Sequence, residues 1–132
     1  MEKIKDWAEE LDLFDDVMDR YSFLIDLAKK PTNLPAELRT DDRLVKGCMS
    51  QIWVEVGEKE GFTKIYYDSD ALITKGVTHL ICDCFNDLPV EQAKKVTKED
   101  FEILGIEEIL SSNRRNGLAS LIGTIQNKIQ LL

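Results

Sequence analysis

Apolar residues near the amino terminus recur at the spacing of amphipathic helices. Two groups stand on either side of a short polar break: Ile4, Trp7, Ala8 and Leu11, then Val17, Met18, Tyr21, Leu24, Ile25 and Ala28. This pattern predicts two opening helices. Asp15 or Asp16 is placed to cap the second helix, and Pro31 prevents it from continuing. We expect an extended connector over residues 31–46, where two prolines interrupt the pattern.

Alternation with a period of two follows the connector and predicts β-strands. Apolar residues alternate with other types over residues 51–57, and residues 62–67 make a second candidate strand. The short charged segment between them is bounded by glycines and predicts an antiparallel hairpin. Leu44 and Val45 can add a third, short strand. Because Trp53 lies opposite the smaller apolar residues of its strand, we expect helices to cover both faces of the hairpin.

Helical spacing returns after the hairpin. The apolar positions of the next helix are Ile73, Val77, Leu80, Ile81 and Cys84. Asp68, Ser69 and Asp70 precede this stripe, and all three are residue types that cap helix amino termini. The pattern therefore predicts a buried helix with a polar cap.

The last third of the chain predicts three more helices. Pro89 suits the first turn of a brief helix, and Thr97 with Asp100 matches a capping box for another that ends at Gly105. The final helix is predicted from a cap at Ser112 or Asn113 and from the apolar residues Leu118, Leu121, Ile122, Ile125, Ile129 and Leu132. The order of elements predicts one α+β domain over residues 1–132, with a small antiparallel sheet of two to three strands packed against helices.

The composition fits a folded domain and argues against several classes of function. With 132 residues, 43% of them hydrophobic and 32% charged, the chain can bury a core without a disulfide or a metal. A net charge of −8 argues against nucleic acid as a partner, and the apolar stretches are too short to span a membrane. The first residues lack the apolar run of a secretory signal, so we expect a cytoplasmic protein.

Three cysteines carry the candidate chemistry. The chain has one histidine and no phosphate loop or serine-hydrolase motif, so nucleotide and hydrolase functions have little support. A loop should present Cys48 between the connector and the first strand, where Gly47 leaves room for a partner. A positive charge from Lys46 or Arg43 can favour the reactive thiolate. An incidental buried cysteine at a strand start is an equally good interpretation of these residues alone.

The residues around Cys48 also resemble those of a known family. The run is Val45-Lys46-Gly47-Cys48-Met49-Ser50-Gln51-Ile52-Trp53-Val54. It is similar to the Gly-Cys-x-Ser-Gln-x-Trp signature of SufE proteins. Further similar segments lie at residues 21–27, 34–35, 68–76 and 110–118, in the family's order, so the resemblance covers nearly the whole chain. It implies an α+β fold of the SufE and IscU kind.

Membership of that family would imply sulfur transfer. SufE proteins accept sulfur from a SufS-type, pyridoxal-phosphate-dependent cysteine desulfurase. The resemblance implies that Cys48 takes this sulfur as a persulfide and passes it to a scaffold complex that builds iron–sulfur clusters. The chain would hold no cofactor or metal of its own and would be an accessory acceptor rather than a complete enzyme. We expect the loop to keep the resting thiol buried and to swing it out when a partner docks.

Other residues become candidates around Cys48 through the same resemblance. The residues expected to line the thiol site or contact the partner are Gly47, Ser50, Gln51, Asp70 and Arg114. A guanidinium from Arg114 near the thiol would favour its anionic form. Without such a role, Asp70 simply caps its helix and Arg114 is solvated at the start of the last one.

Two alternatives remain open. The first is a metal or iron–sulfur scaffold of the IscU kind, with the ligands Cys48, His79, Cys82 and Cys84. Two cysteines at that spacing on a continuous helix point to different sides, and we expect Cys84 in the core and Cys82 turned away from it. The second alternative is a module that binds a desulfurase and regulates it without taking sulfur.

Overall fold

The computed structural model describes residues 2–48 and 50–132 and has an α+β architecture. The helices are α1 (Glu2–Asp12), α2 (Val17–Leu27), α3 (Leu72–Phe85), α4 (Val90–Ala93) and α5 (Ser112–Gln130). The strands are β1 (Ile52–Lys59) and β2 (Phe62–Ser69). Short 3-10 helices lie at Ala36–Leu38, Asp41–Arg43, Lys98–Leu104 and Ile106–Glu108. The predicted order of helices around a hairpin is confirmed.

The two opening helices form as the apolar pattern predicts. Asp16 is the cap of α2, since its carboxylate accepts a hydrogen bond of 2.7 Å from the N–H of Met18. Leu24 lies on the buried side of α2. Val17 and Met18, expected on the same apolar stripe, are instead exposed. The stripe of α2 therefore begins one turn later than predicted.

The sheet is a single antiparallel hairpin. Its register runs from Ile52 opposite Ser69 to Lys59 opposite Phe62. The strands extend beyond the predicted ends, and a tight turn at Glu60 and Gly61 joins them with positive φ angles of 55° and 86°.

The predicted third strand is reduced to one bridge. Leu44 pairs with Trp53, and the N–H of Val45 donates to the carbonyl of Ile52. Beyond that point the chain turns through the Cys48 loop instead of continuing alongside β1.

The two faces of the hairpin are covered differently. The inner face, with Ile52 and Val54, belongs to the buried core, and the hairpin packs against α3. On the outer face, the guanidinium of Arg39 lies 5.9 Å from the ring centroid of Trp53 and pairs with Asp68. The connector, rather than a second layer of helices, therefore covers the outer face, and the prediction of helices on both sides is wrong.

The outer edge of β2 is closed by side chains. Asn33 donates to the carbonyl of Ile65 and accepts from the N–H of Tyr67, each at 3.0 Å. The amide oxygen of Asn86 accepts from the N–H of Ile65 at 2.9 Å. These contacts satisfy backbone groups that a neighbouring strand would otherwise bind.

The residues predicted to cap α3 have other partners. The residue at the cap position is Ala71, without a side-chain hydrogen bond. Asp68 is buried, accepts from the N–H of Ser69 at 2.8 Å, and lies 3.6 Å from the ammonium of Lys75. Asp70 reaches back to the Cys48 loop. The predicted capping role of these acids is wrong because tertiary contacts take their carboxylates.

Helix α3 crosses α2 at very close range. A Cβ atom added at Gly76 would lie 1.7 Å from the carbonyl oxygen of Leu24. Leu80, Ile81 and Phe85, further along α3, are completely buried. This helix is the central core element.

The last third of the chain confirms one predicted cap and corrects another. Thr97 and Asp100 form the capping box, and Gly105 ends that segment with a φ of 64°, although the helix is 3-10 rather than α. The residue at the cap of α5 is Ser111, which precedes the predicted Ser112 by one position and Asn113 by two. Within the described residues, no helix is long and apolar enough to cross a bilayer.

Candidate functional site

The Cys48 loop turns sharply at Gly47. Its φ is +84°, a left-handed conformation that glycine adopts without the strain other residues incur. A Cβ atom there would also lie 2.9 Å from the Oγ of Ser120 on α5. Gly47 therefore brings the loop against α5, and the predicted role of Gly47 in leaving room for a partner stays a prediction.

Cys48 is half-buried between its loop and α5. Its Sγ lies 3.5 Å from the carbonyl oxygen of Gly117, to which the thiol donates. A Cβ atom on Gly117 would lie 3.3 Å from that Sγ. A glycine inside α5 therefore allows the backbone to approach the thiol, an unusual use of a residue that weakens helices.

Burial raises the pKa of the Cys48 thiol. The desolvated sulfur favours its neutral form because the thiolate would lose solvation. Arg43, expected to favour the thiolate, instead pairs with Glu55 on β1, and Lys46 is exposed. The expected lowering of the pKa by a neighbouring cation is wrong for this resting arrangement.

A cavity of about 360 Å³ opens beside Cys48. The loop contributes Cys48 and Ser50, α3 contributes Ile73, Thr74 and Val77, and the α5 side contributes Leu110, Arg114 and Leu118. The structure therefore brings together three of the sequence-predicted site residues, Cys48, Ser50 and Arg114. Its apolar walls come from helices that lie far apart in the sequence.

Asp70 and Gln51 lie at the base of the loop. The Asp70 carboxylate accepts from the N–H of Gln51 at 3.0 Å, and the hydroxyl of Ser69 donates to the Gln51 carbonyl at 2.8 Å. The backbone just after Cys48 is thereby anchored to the end of β2. The Gln51 side chain is exposed.

Arg114 lies at the mouth of the cavity, on the first turn of α5. Its Nη1 donates to the hydroxyl of Tyr21 on α2 at 3.1 Å. This contact joins residues 93 positions apart. No feature of the sequence predicts this contact. The close approach at Gly117 differs, because a glycine within the final helical pattern indicates that another group packs there.

The other two cysteines lie inside the core. Both are on α3 and buried, Cys82 included, although Cys82 was expected to face away from the core. Burial raises the pKa of Cys84 to about 12 and raises that of Cys82 well above its ordinary range. These thiols are held neutral and out of reach.

His79 belongs to an aromatic cluster. Its Nδ1 lies 2.7 Å from the hydroxyl of Tyr67, and its ring is edge-on to Trp7. Burial lowers the pKa of this imidazole. Across residues 2–48 and 50–132, no three histidine, cysteine, aspartate or glutamate side chains come together as a metal site, so the four proposed scaffold ligands are not assembled.

Comparison with known proteins identifies relatives along most of the chain. Residues 5–129 match the profile of the SufE family, described as an Fe-S metabolism associated domain. SufE-like protein 1, chloroplastic/mitochondrial, of Arabidopsis thaliana is 32% identical over 124 residues. That match covers 91% of this chain but 33% of the Arabidopsis protein, so the chain spans about a third of that relative's length. The predicted cytoplasmic location stays a prediction.

Bacterial relatives match over most of their own length. Uncharacterised SufE-like proteins of Rhizobium etli and Rhizobium meliloti are 33% and 31% identical over 122 and 130 residues. The matches cover 89% and 92% of this chain, and 82% and 91% of those proteins.

A solved structure shares the fold. The solution structure of a hypothetical protein from Thermus thermophilus superposes with a TM-score of 0.80 at 20% identity, over 98% of this chain and 94% of that one. The profile match and the identities above confirm the resemblance first carried by the residues around Cys48. The chain belongs to the SufE family and has a role in Fe–S metabolism.

Proposed function

We propose that the protein accepts sulfur on Cys48 from the persulfide of a pyridoxal-phosphate-dependent cysteine desulfurase and delivers it to an iron–sulfur scaffold complex. One observation carries the proposal. Of the three cysteines, all within the described residues, Cys48 alone lies beside an open cavity, while Cys82 and Cys84 are buried in the core. A group that exchanges sulfur with other proteins needs such access.

The transfer is a thiol exchange. The Cys48 thiolate attacks the terminal sulfur of the desulfurase persulfide, and a new S–S bond forms on Cys48 while the S–S bond of the donor breaks. The donor cysteine leaves as a thiolate. No net oxidation or reduction occurs, and the same exchange in the opposite sense unloads the carrier. The protein acts as an acceptor that turns over with its partners.

The resting state suits a carrier that is activated on docking. Partial burial and the Gly117 carbonyl favour a neutral thiol, which limits reaction with other electrophiles. We propose that docking moves the Cys48 loop outward and exposes the sulfur to the desulfurase. The cavity has room for the added sulfur when the loop returns.

Two further residues support a docking surface around the loop. Asp70 anchors the backbone of Gln51, and Arg114 stands exposed at the mouth of the cavity. We propose that both orient the partner relative to Cys48, because transfer requires the two sulfurs to meet in line. The exposed side chain of Gln51 is available to the same partner.

The test is sulfur loading in the presence of desulfurase and L-cysteine, followed by intact mass measurement without reductant. Wild-type protein should gain sulfur, and Cys48→Ser should gain none, because a hydroxyl is hardly ionised near neutral pH and cannot carry sulfane sulfur. Cys82→Ser and Cys84→Ser are the matched controls. Because both side chains are buried, each substitution should lower the free energy of unfolding by about 1–3 kcal/mol if its hydroxyl is unpaired, yet each variant should still load per folded molecule.

Other outcomes would identify other functions. A wild-type protein that speeds the desulfurase but never gains sulfur would be a non-covalent regulator. Loss of loading in folded Cys82→Ser or Cys84→Ser, together with loss of bound zinc or iron, would favour the scaffold alternative.

A further inference from the structure

The cavity beside Cys48 is larger than sulfur storage requires. Its volume is about 360 Å³. One added sulfur atom needs roughly the 30 Å³ that a water molecule occupies in the liquid. Pockets for small ligands begin at about 300 Å³. The space therefore suits a small organic molecule next to the thiol.

The lining defines the chemistry of that molecule. Ile73, Val77 and Leu118 form an apolar wall, and Cys48 lies at one side of the space. The mouth is polar, and Arg114 brings a permanent positive charge to it. A ligand with a short apolar body and an anionic end matches this arrangement.

Arg114 is available to an anion. Arg20, Arg39 and Arg43 each pair with a carboxylate, and Arg115 donates to the backbone carbonyl of Glu107. Among the ion pairs between described residues, none involves Arg114.

The one hydrogen bond of the Arg114 side chain within that part of the chain goes to the neutral hydroxyl of Tyr21. This contact orients the guanidinium without neutralising it. The protein has a net charge of −8, so an exposed arginine without an acidic partner at the mouth of a cavity stands out, and it favours an anionic ligand there.

We propose that this cavity binds a small thiol that carries a carboxylate, and that this thiol takes sulfane sulfur from Cys48. The inference rests on the proposed function, since it uses the Cys48 persulfide. The thiolate of the small molecule attacks the terminal sulfur, an S–S bond forms on the small molecule, and the bond between Cys48 and that sulfur breaks. Cys48 leaves as a thiolate, so electrons balance without an oxidant. The protein thereby supplies sulfur to a soluble acceptor as well as to a protein partner.

The first test needs no desulfurase. Iodoacetate and iodoacetamide alkylate Cys48 with similar size and chemistry but differ in charge. The ratio of the iodoacetate rate to the iodoacetamide rate at Cys48 should fall about two- to fivefold in Arg114→Gln, the range expected for a partly exposed charge pair. Lys46→Gln is the matched control, because it changes the net charge equally, lies two residues from Cys48 and does not line the cavity.

Each outcome decides the binding claim. A fall confined to Arg114→Gln supports a carboxylate subsite at the cavity. An equal fall of the rate ratio in both variants shows a general field effect. No fall in either variant shows that Arg114 does not receive the carboxylate. Both of these results overturn the inference.

The closing experiment tests transfer itself. Protein loaded with sulfur on Cys48 is mixed with 3-mercaptopropionate or with its amide at equal thiolate concentration, and the loss of the sulfur adduct is followed by mass. The carboxylate thiol should unload wild-type protein faster, and that advantage should fall about two- to fivefold in Arg114→Gln but not in Lys46→Gln. Equal rates for both thiols would overturn the proposal. If Cys48 never loads, the proposed function itself fails, and the alkylation result still decides the subsite.

Discussion

The Cys48 loop and the carboxyl-terminal half of α3 place the same side chain in opposite settings. Cys48 is half-buried, beside a cavity, and donates to a backbone carbonyl on α5. Cys82 and Cys84 are buried within the core helix. Burial raises the pKa of all three thiols, but the rise is large only for the two core thiols, so the milder burial of Cys48 sets it apart. The difference lies in access.

This contrast changes how the site is understood. A reactive cysteine is commonly expected beside a cation that stabilises its thiolate. Here none of the expected cations, Lys46, Arg43 and Arg114, lowers the pKa of Cys48, which burial raises. In the proposed function, the reactivity of Cys48 would therefore depend on movement of its loop when a partner docks, and the half-buried thiol would be protected until then.

The largest expected effect concerns alkylation. In native protein, iodoacetamide should modify Cys48 at least about 10³-fold faster than Cys82 or Cys84, because the core thiols react only when α3 opens. Peptide mass mapping over time measures the three rates, with urea-unfolded protein as the reference. Comparable rates at all three cysteines in native protein would contradict the difference in access.

Alanine substitutions at two helical glycines test the same difference between the core and the Cys48 loop. Gly76→Ala should lower the free energy of unfolding by about 2–4 kcal/mol, because the new methyl group meets the rigid backbone of Leu24 on α2. Gly117→Ala should change stability by less than about 1 kcal/mol, because better helix propensity offsets the contact with Cys48, and the loop can shift. Urea unfolding measures both.

The Gly117→Ala variant has a second readout. Its Cys48 thiol should alkylate faster than in wild-type protein, because the methyl group displaces the sulfur from the carbonyl. A loss of stability as large as that of Gly76→Ala would show that the Cys48 loop is as rigid as the core.

A further expected effect is the pH dependence contributed by Cys84. Its pKa rises from 9.0 to about 12 on folding, so the unfolded chain loses this proton first as pH increases. The contribution is complete below pH 9 and is lost as pH rises toward 12, by up to about 1.4 kcal/mol per pH unit. Urea unfolding at pH 8 and pH 10 should show a smaller loss in Cys84→Ser than in wild-type protein. An equal loss would mean that the thiol ionises in the folded state.

Local patterns predicted the elements well. The period of two around Val54 marks β1 because side chains alternate across a pleated strand. Asp16 caps the start of α2 and Gly105 ends its 3-10 helix, as their residue types predict. The acids before α3 were misassigned because Arg39 bonds Asp68 from a segment far away in sequence. Capping propensity is a local preference, and an ion pair to a buried carboxylate overrides it.

The candidate site likewise combines local features that the sequence predicts with distant contacts that it does not. Cys48 and Gly47 could be identified from consecutive residues, since the motif is local. The Gly117 carbonyl lies 69 positions from Cys48, and the Tyr21 hydroxyl lies 93 from Arg114. Such partners are fixed only when α2, α3 and α5 pack together, so no single stretch of sequence contains them.

The closed edge of β2 has a consequence for how the protein behaves at high concentration. Asn33 and Asn86 occupy backbone groups that would otherwise template a strand from another molecule. Backbone hydrogen bonds from residues 87–90 close the part of the same edge near Thr63. Intermolecular β-sheet growth, the first step toward fibrous aggregates, is therefore blocked along that side. Copies of the protein can then meet at high concentration without polymerising through this edge.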